Sequence, residues 1–182
     1  MKKYFLLSFS ICMIFSCKKE DSNPTQLLQN TNMEVVNSST WSNFMTGTGF
    51  TATMTYEESF SPNYSLKISR TVIDTAKFCS WYQMYSGKIP VGRDLTLTAK
   101  IKGVNLSGSG VSIVIRCDGA TPDLQFETTQ NAVPISGTFD WATYTLNLSK
   151  VQSDVTSIIV YLVYLPKTTG TVYFDDVTLI YK

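Results

Sequence analysis

The closing stretch of the chain, TVYFDDVTLIYK from Thr171 to Lys182, constrains the fold more than any other. β-Branched and aromatic residues dominate it, and its apolar side chains fall on both faces, which is typical of a strand buried between two layers. Two carboxylates, Asp175 and Asp176, stand in its middle. Successive side chains of a strand point to opposite faces, so we expect that these two cannot serve the same site in the same way. Because an unpaired buried carboxylate is costly, at least one should meet a cation or a dense set of hydrogen-bond donors.

Short strand-like segments fill the rest of the chain. From residue 95 to 102, apolar side chains alternate with threonine and lysine, which predicts a strand with one solvent-exposed face. Similar segments occupy residues 50–56, 64–68, 78–85, 111–117, 140–148 and 158–165. No helical period exceeds one turn, and there is no internal repeat. Eight or more short strands with turn residues between them predict an all-β fold, a jelly-roll β-sandwich.

The N-terminus has the pattern of a targeting segment. Lys2 and Lys3 precede an apolar run over residues 4–15, which is shorter than the roughly 20 residues that span a bilayer. The run ends in Ile14-Phe15-Ser16-Cys17, which resembles a bacterial lipobox. We therefore expect a lipoprotein signal peptide over 1–16, a lipidated tether over 17–26 that begins at Cys17, and a β-sandwich over 27–182. The alternative is an ordinary secretory signal with an incidental cysteine.

The residues after Cys17 indicate where the protein is placed. Lys18-Lys19-Glu20-Asp21 resembles the export tag of surface lipoproteins of the Bacteroidetes. This resemblance implies an outer-membrane protein that is exposed at the cell surface and attached to the membrane through its lipid anchor only. The alternative is a tether that is merely solvated.

Composition excludes several function classes. The chain of 182 residues has no histidine, which removes Ser-His-Asp catalysis and histidine-ligated zinc. Its formal charge of +1 provides no basic field for nucleic acid, so we expect no nucleic-acid partner. The adjacent acidic pairs Glu57-Glu58 and Asp175-Asp176 do not resemble two carboxylates facing each other across a cleft, so we expect no enzyme.

Two cysteines remain once the signal peptide is removed and Cys17 is acylated. These are Cys79 and Cys117, both in strand-like segments. An even pair in an exported protein permits a disulfide. Two buried free thiols are the other possibility, and the sequence leaves both open.

An ordered set of motifs resembles the carbohydrate-binding modules of families four, nine and twenty-two. The opening Leu27-Leu28-Gln29-Asn30-Thr31-Asn32-Met33-Glu34 resembles the start of these modules. Further matches are residues 61–68, 78–83 followed by 92–99, the Trp141 and Tyr144 pair, and the closing Tyr173-Phe174-Asp175-Asp176-Val177. Asn63 and Thr31 stand where glycine is usual. The resemblance implies a galactose-binding-like β-sandwich that binds a poly- or oligosaccharide.

The same resemblance implies a structural Ca²⁺. Glu34 and Asp175 match the family's ligand positions, and Asp176 is the reserve ligand. Calcium takes six to eight oxygen ligands, so two carboxylates with main-chain carbonyls would suffice. The alternative is that both carboxylates satisfy backbone donors or a basic side chain without a metal.

Glycan binding requires flat aromatic faces and planar polar groups. By period two, Trp81, Gln83 and Tyr85 share one face of their strand, and Trp81 matches the family tryptophan that often stacks on sugar. Arg116 is a charge in an apolar strand, and we expect it on the same concave sheet. Tyr161 or Tyr164 is expected to form the opposite wall. For each aromatic the alternative is packing in the core or at an edge.

These observations predict a surface lipoprotein that carries a non-catalytic glycan-binding module. The alternative is an adhesion or assembly lipoprotein with the same sandwich and no sugar specificity. A concave face that carries Trp81 with polar neighbours would favour the glycan, and a flat polar face would favour assembly.

Overall fold

The computed structural model describes residues 23–36 and 39–182. Its strands, in chain order, are β1 (Thr25–Gln26), β2 (Ser42–Met45), β3 (Phe50–Thr55), β4 (Ser65–Arg70), β5 (Cys79–Tyr85), β6 (Leu95–Ser107), β7 (Val111–Asp118), β8 (Gln125–Thr128), β9 (Gly137–Leu148), β10 (Ser157–Tyr164) and β11 (Thr169–Tyr181). None of the described residues forms a helix able to cross a bilayer. The signal-peptide, Cys17 and export-tag predictions concern residues outside the described part of the chain.

The strands form two antiparallel sheets. A six-stranded sheet has the order β3-β4-β11-β6-β9, with β1 added alongside β11, and a five-stranded sheet has the order β2-β5-β10-β7-β8. From β4 onward the chain crosses repeatedly between the sheets, as in a jelly roll. The all-β sandwich predicted from the alternating segments is therefore confirmed.

The core lies between the two sheets and follows the alternation of the sequence. In β6 the apolar residues from Leu95 to Ile101 are fully buried, and the threonines and lysines between them are partly exposed. β11 lies in the middle of the six-stranded sheet, and Phe174, Val177 and Leu179 of this strand are fully buried. The prediction that the closing stretch is a buried strand is correct.

The sandwich begins two residues earlier than predicted. Thr25 and Gln26, assigned to the tether by composition, pair with Tyr181 and Ile180 as β1. The Gln26 side chain also accepts hydrogen bonds from the backbone N–H groups of Leu28 and Leu179. Its amide thus fixes the start of the domain against its last strand.

Candidate functional site

The two faces of β5 have opposite roles. Trp81 is 6% exposed and packs in the core, and its indole N–H donates to the Lys67 carbonyl of the facing sheet at 3.2 Å. Gln83 lies on the same inner face and is also buried. The prediction that Trp81 and Gln83 form an exposed platform is therefore wrong, because the face they share is covered by the six-stranded sheet.

Gln83 instead fixes a neighbouring segment. Its Oε1 accepts the backbone N–H of Gln29 at 2.7 Å, and its Nε2 donates to the Gln29 carbonyl at 3.0 Å. Tyr85 is partly buried against the core, and its hydroxyl donates to the Lys88 carbonyl. Both residues line a smaller cleft at the end of β5, and neither lines the larger cleft on the outer face of the sheet.

The outer face of the five-stranded sheet carries a cleft of about 700 Å³, within the size range of ligand pockets. Its central row is Tyr82 on β5, Tyr161 on β10 and Val114 on β7, which are directly opposed in the strand register. The adjacent row is Met84, Ile159, Arg116 and Phe126. Phe44 stands at the β2 edge. This surface is called the main cleft below.

Arg116 and Tyr161 both line the main cleft, on the face of the sheet opposite to Trp81, and Tyr161 lies on the strand next to Arg116 and not on a facing wall. The Arg116 guanidinium lies 5.9 Å from the centre of the Tyr161 ring. Tyr161 in turn packs against Tyr82, with ring centres 5.8 Å apart and a tilt of 35°. Tyr164, the other residue considered for the opposite wall, is fully buried on the inner face and donates its hydroxyl to the Gly170 carbonyl.

The charge of Arg116 is already paired within the sheet. Its Nε and Nη2 donate to the two carboxylate oxygens of Asp118 at 2.8 and 2.7 Å, and Asp123 lies 3.2 Å from Nε. The hydrogen bond from Arg116 lowers the pKa of Asp118, so this carboxylate stays ionised. The guanidinium is therefore held in a fixed position and its charge is compensated.

The floor of the main cleft contains a hydroxyl without a partner. Ser80 is 1% exposed, and its Oγ has no hydrogen bond within residues 23–36 and 39–182. It is opposed by Phe44 in the register of β2 and β5. An unsatisfied buried hydroxyl is unfavourable by about 1–3 kcal/mol, and a ligand hydroxyl reaching the floor would relieve this.

The predicted calcium ligands hold one loop against the end of the sandwich. Asp175 is fully buried, and its Oδ2 accepts the backbone N–H groups of Phe60 and Ser61 at 2.8 and 2.9 Å. Glu34 Oε1 accepts the N–H groups of Asn63 and Tyr64 at 3.0 and 2.9 Å. The expectation of a dense set of donors at one buried carboxylate is thus met at Asp175.

Asp175 and Asp176 both reach Ser61, although regular strand alternation would point them to opposite faces. A bulge interrupts the pairing of β11 with β6 between Asp175 and Thr178, and Asp176 has a φ of 43°. Ser61 Oγ consequently lies 2.6 Å from Asp176 Oδ1 and 3.5 Å from Asp175 Oδ1.

The acidic side chains do not by themselves form a calcium cage. The described residues contain no group of three or more acidic, cysteine or histidine side chains placed to share a metal ion. Six to eight oxygens would have to include main-chain carbonyls. Glu34 and Asp175 contact the same loop, residues 60–64, so they fit a metal only together with that loop's backbone.

Cys79 and Cys117 are buried free thiols. They pair with Tyr164 and Ile158, at opposite ends of the intervening strand β10. Six residues of strand separate these positions by about 20 Å, well beyond the reach of a disulfide. Burial raises the pKa of Cys79 to about 12 and that of Cys117 to about 11.

The main-cleft residues that sequence reasoning missed include Phe44, Tyr82, Met84 and Phe126. The signal for two of them was present, because Phe78, Ser80, Tyr82 and Met84 form the second period-two set of the same segment. Phe44 and Phe126 lie on β2 and β8, two four-residue strands. Such short segments show too little alternation to be recognised.

Comparison with known proteins supports the fold. No protein-family model and no curated protein sequence matches the chain. Among solved structures, the enzymatically active domain of tailspike protein 4 from bacteriophage CBA120 is 16% identical with a TM-score of 0.67 over 86% of this chain. The chain spans only 21% of that structure.

Smaller structures match over nearly their whole length. A cyclase from Fischerella sp. TAU is 13% identical, with a TM-score of 0.65 over 88% of this chain and 98% of its own. The carbohydrate-binding module TmCBM61, in complex with β-1,4-galactotriose, is 15% identical, with a TM-score of 0.57 over 87% and 99%. A CBM4 carbohydrate-binding module is 18% identical, with a TM-score of 0.58 over 85% and 99%. The fold is therefore that of a carbohydrate-binding-module-like β-sandwich.

Proposed function

We propose that this protein is a non-catalytic glycan-binding domain whose ligand lies in the main cleft. The observation that carries the proposal is the aromatic pair of Tyr82 and Tyr161 beside a fixed, charge-compensated Arg116. Aromatic faces stack on the apolar faces of sugar rings, and oriented polar groups bind hydroxyls. The likeness to carbohydrate-binding modules, one of them bound to β-1,4-galactotriose, supports this assignment.

The ligand is proposed to be a poly- or oligosaccharide. The protein is proposed to reach it from the outer membrane, through a lipid on Cys17, the only membrane attachment. A structural Ca²⁺ at Glu34 and Asp175 with the backbone of residues 60–64 belongs to the same proposal. It rests on the match of these two residues to the family's positions and on the loop that they share.

A glycan array on the soluble domain tests the proposal, followed by affinity electrophoresis with the polysaccharides that it identifies. Tyr82→Ala and Tyr161→Ala should each weaken binding about tenfold, since one aromatic contact contributes roughly 1 kcal/mol or slightly more. Tyr56→Ala is the matched control, because Tyr56 is 80% exposed and does not line the main cleft. Equal losses in all three variants, or no binding to any glycan, would refute the assignment.

A second candidate is the binding of a small aromatic molecule. Phe44, Met84 and Phe126 are each more than half exposed at the rim of the main cleft, and exposed apolar surface of this kind marks binding sites. A structurally similar cyclase from Fischerella sp. TAU has been solved in complex with 4-(1H-indol-3-yl)butan-2-one. Isothermal titration of the wild type and of Tyr82→Ala with an indole separates the two candidates, because only the small-molecule candidate predicts indole binding that the substitution weakens. A third reading, adhesion or assembly without sugar specificity, predicts binding of neither class.

A further inference from the structure

A second cleft adjoins the main cleft across β5. It has a volume of about 520 Å³ and shares Tyr82 and Met84 with the main cleft. Its other walls come from the segment that follows β1, from the approach to β2, and from the turn after β5. The residues used below are Gln29, Ser42, Gln83 and Ser86. We call this cleft the second arm.

The second arm is polar but carries no charge. Its described lining consists of amide, hydroxyl, aromatic and aliphatic side chains, with no acidic or basic residue among them. Gln83 is fully engaged with the Gln29 backbone, which fixes that wall. The side chains of Gln29, Ser42 and Ser86 make no hydrogen bond within the described part of the chain, so they are available to a ligand. Neutral donors and acceptors of this kind match sugar hydroxyls.

The main cleft also disfavours an anionic ligand. Among the described residues that line it, the one cation is Arg116, which is bonded to both oxygens of Asp118 and is also contacted by Asp123. One positive and two negative charges leave this group with a net charge of −1. A carboxylate on the ligand would have to displace Asp118 or approach two like charges, which is unfavourable.

We propose that the second arm is a sugar subsite, and that the ligand is an uncharged oligosaccharide which crosses Tyr82 and occupies both clefts. This rests on the proposed function of the main cleft. From β8 to β5 there are three inter-strand steps, or about 14 Å, before the second arm begins. A sugar ring is about as wide as one such step, so a disaccharide fills only part of the main cleft. A longer chain enters the second arm.

The test uses neutral oligosaccharides from disaccharide to hexasaccharide, taken from β-1,4-galactan, xylan, mannan and cellulose, with oligogalacturonates as the anionic series. Isothermal titration with the soluble domain should show that affinity for one neutral series keeps rising beyond the trisaccharide, while the oligogalacturonates bind more weakly at every length. Increasing the salt concentration should leave the affinity for the neutral series unchanged.

One variant tests the second arm, and another tests the charge of the main cleft. The double variant Gln29→Ala with Ser86→Ala should lower the affinity for the hexasaccharide about tenfold, the expected result of losing two hydrogen bonds. Its affinity for the disaccharide should be unchanged. Asp118→Asn should raise the affinity for oligogalacturonates, because it frees Arg116. Gln130→Ala, on the main cleft alone, is the matched control and should affect both lengths equally.

The results distinguish a failure of the second-arm proposal from a failure of the proposed function. If short neutral sugars bind but affinity stops rising with length, or if oligogalacturonates bind best, the second-arm proposal is refuted and the glycan site remains. An equal loss at both lengths in the double variant also refutes it. If no series binds, the proposed function and the second arm are refuted together.

Discussion

Trp81 and Tyr82 are adjacent in the chain and provide the sharpest test of the site. Trp81 points into the core and is 6% exposed, whereas Tyr82 is half-buried on the outer face against Tyr161. Trp81→Ala should therefore destabilise the fold and Tyr82→Ala should weaken ligand binding. The two variants differ by one position and by the face of a single strand.

The magnitudes follow from burial. Truncating a buried tryptophan costs about 3–5 kcal/mol, to which the lost hydrogen bond with the Lys67 carbonyl contributes. For a domain of this size, each kcal/mol shifts the melting temperature by roughly 2–4 °C, so Trp81→Ala should lower it by about 6–20 °C. Tyr82→Ala should cost about 1 kcal/mol of folding free energy and lower glycan affinity about tenfold.

Differential scanning fluorimetry and affinity electrophoresis on the same preparations check both numbers. Trp81→Phe is the matched control, because it keeps most of the buried ring and should recover most of the stability. A Trp81→Ala protein that melts like the wild type but no longer binds glycan would refute the placement of the two faces. So would a Tyr82→Ala protein with intact binding and a collapsed melting temperature.

Further predictions concern the two ends of the chain and the thiols. Burial raises the pKa of Asp175 to about 6 from the ordinary 3.8. The metal-free fold should therefore lose up to roughly 3 kcal/mol of stability as the pH rises from 4 to 7. Urea denaturation at several pH values measures this loss, and Asp175→Asn should remove the pH dependence. If Ca²⁺ is held at Glu34 and Asp175, EDTA should lower the melting temperature by several degrees. Calcium at a hundredfold excess over Kd should then raise the free energy of unfolding by about 2.7 kcal/mol. An unchanged melting temperature would count against the metal. Cys79 and Cys117 should resist Ellman's reagent until the protein unfolds, and a reducing agent should not change the melt. Cys17→Ser should abolish lipid labelling and release the protein from the membrane fraction.

The fold was predictable because its evidence is repeated along the chain. The alternation in β6 and the β-branched and aromatic residues of β11 each specify a strand, and the burial of Leu95 and Phe174 agrees with this. The role of Asp175 as an acceptor for several donors followed from the cost of burying a carboxylate. The convergence of Asp176 on the same loop did not, because a bulge depends on the pairing of β11 with β6.

The candidate site was only half predictable. Arg116 was identified because a charge within an apolar strand is conspicuous, and it lies near Tyr161. Tyr161 was expected on an opposite wall, whereas both residues line the same sheet. Trp81 was assigned to the wrong face. Residues 78–85 have large apolar side chains in both period-two sets, so alternation alone leaves the phase of the strand undetermined.

The structure shows why both sets of β5 are aromatic. The inner set packs against the other sheet, as Trp81 does through its contact with Lys67. The outer set lines the main cleft, where Tyr82 is continued by Tyr161 and Val114 into an apolar row. The solvated face of an antiparallel sheet is ordinarily polar, as it is in β6, where threonine and lysine face outward. An apolar and aromatic outer row on one sheet, opposite a polar outer row on the other, is the pattern expected of a surface that is covered by a ligand. Aromatic residues in both phases of a sandwich strand therefore indicate a core on one face and a binding surface on the other.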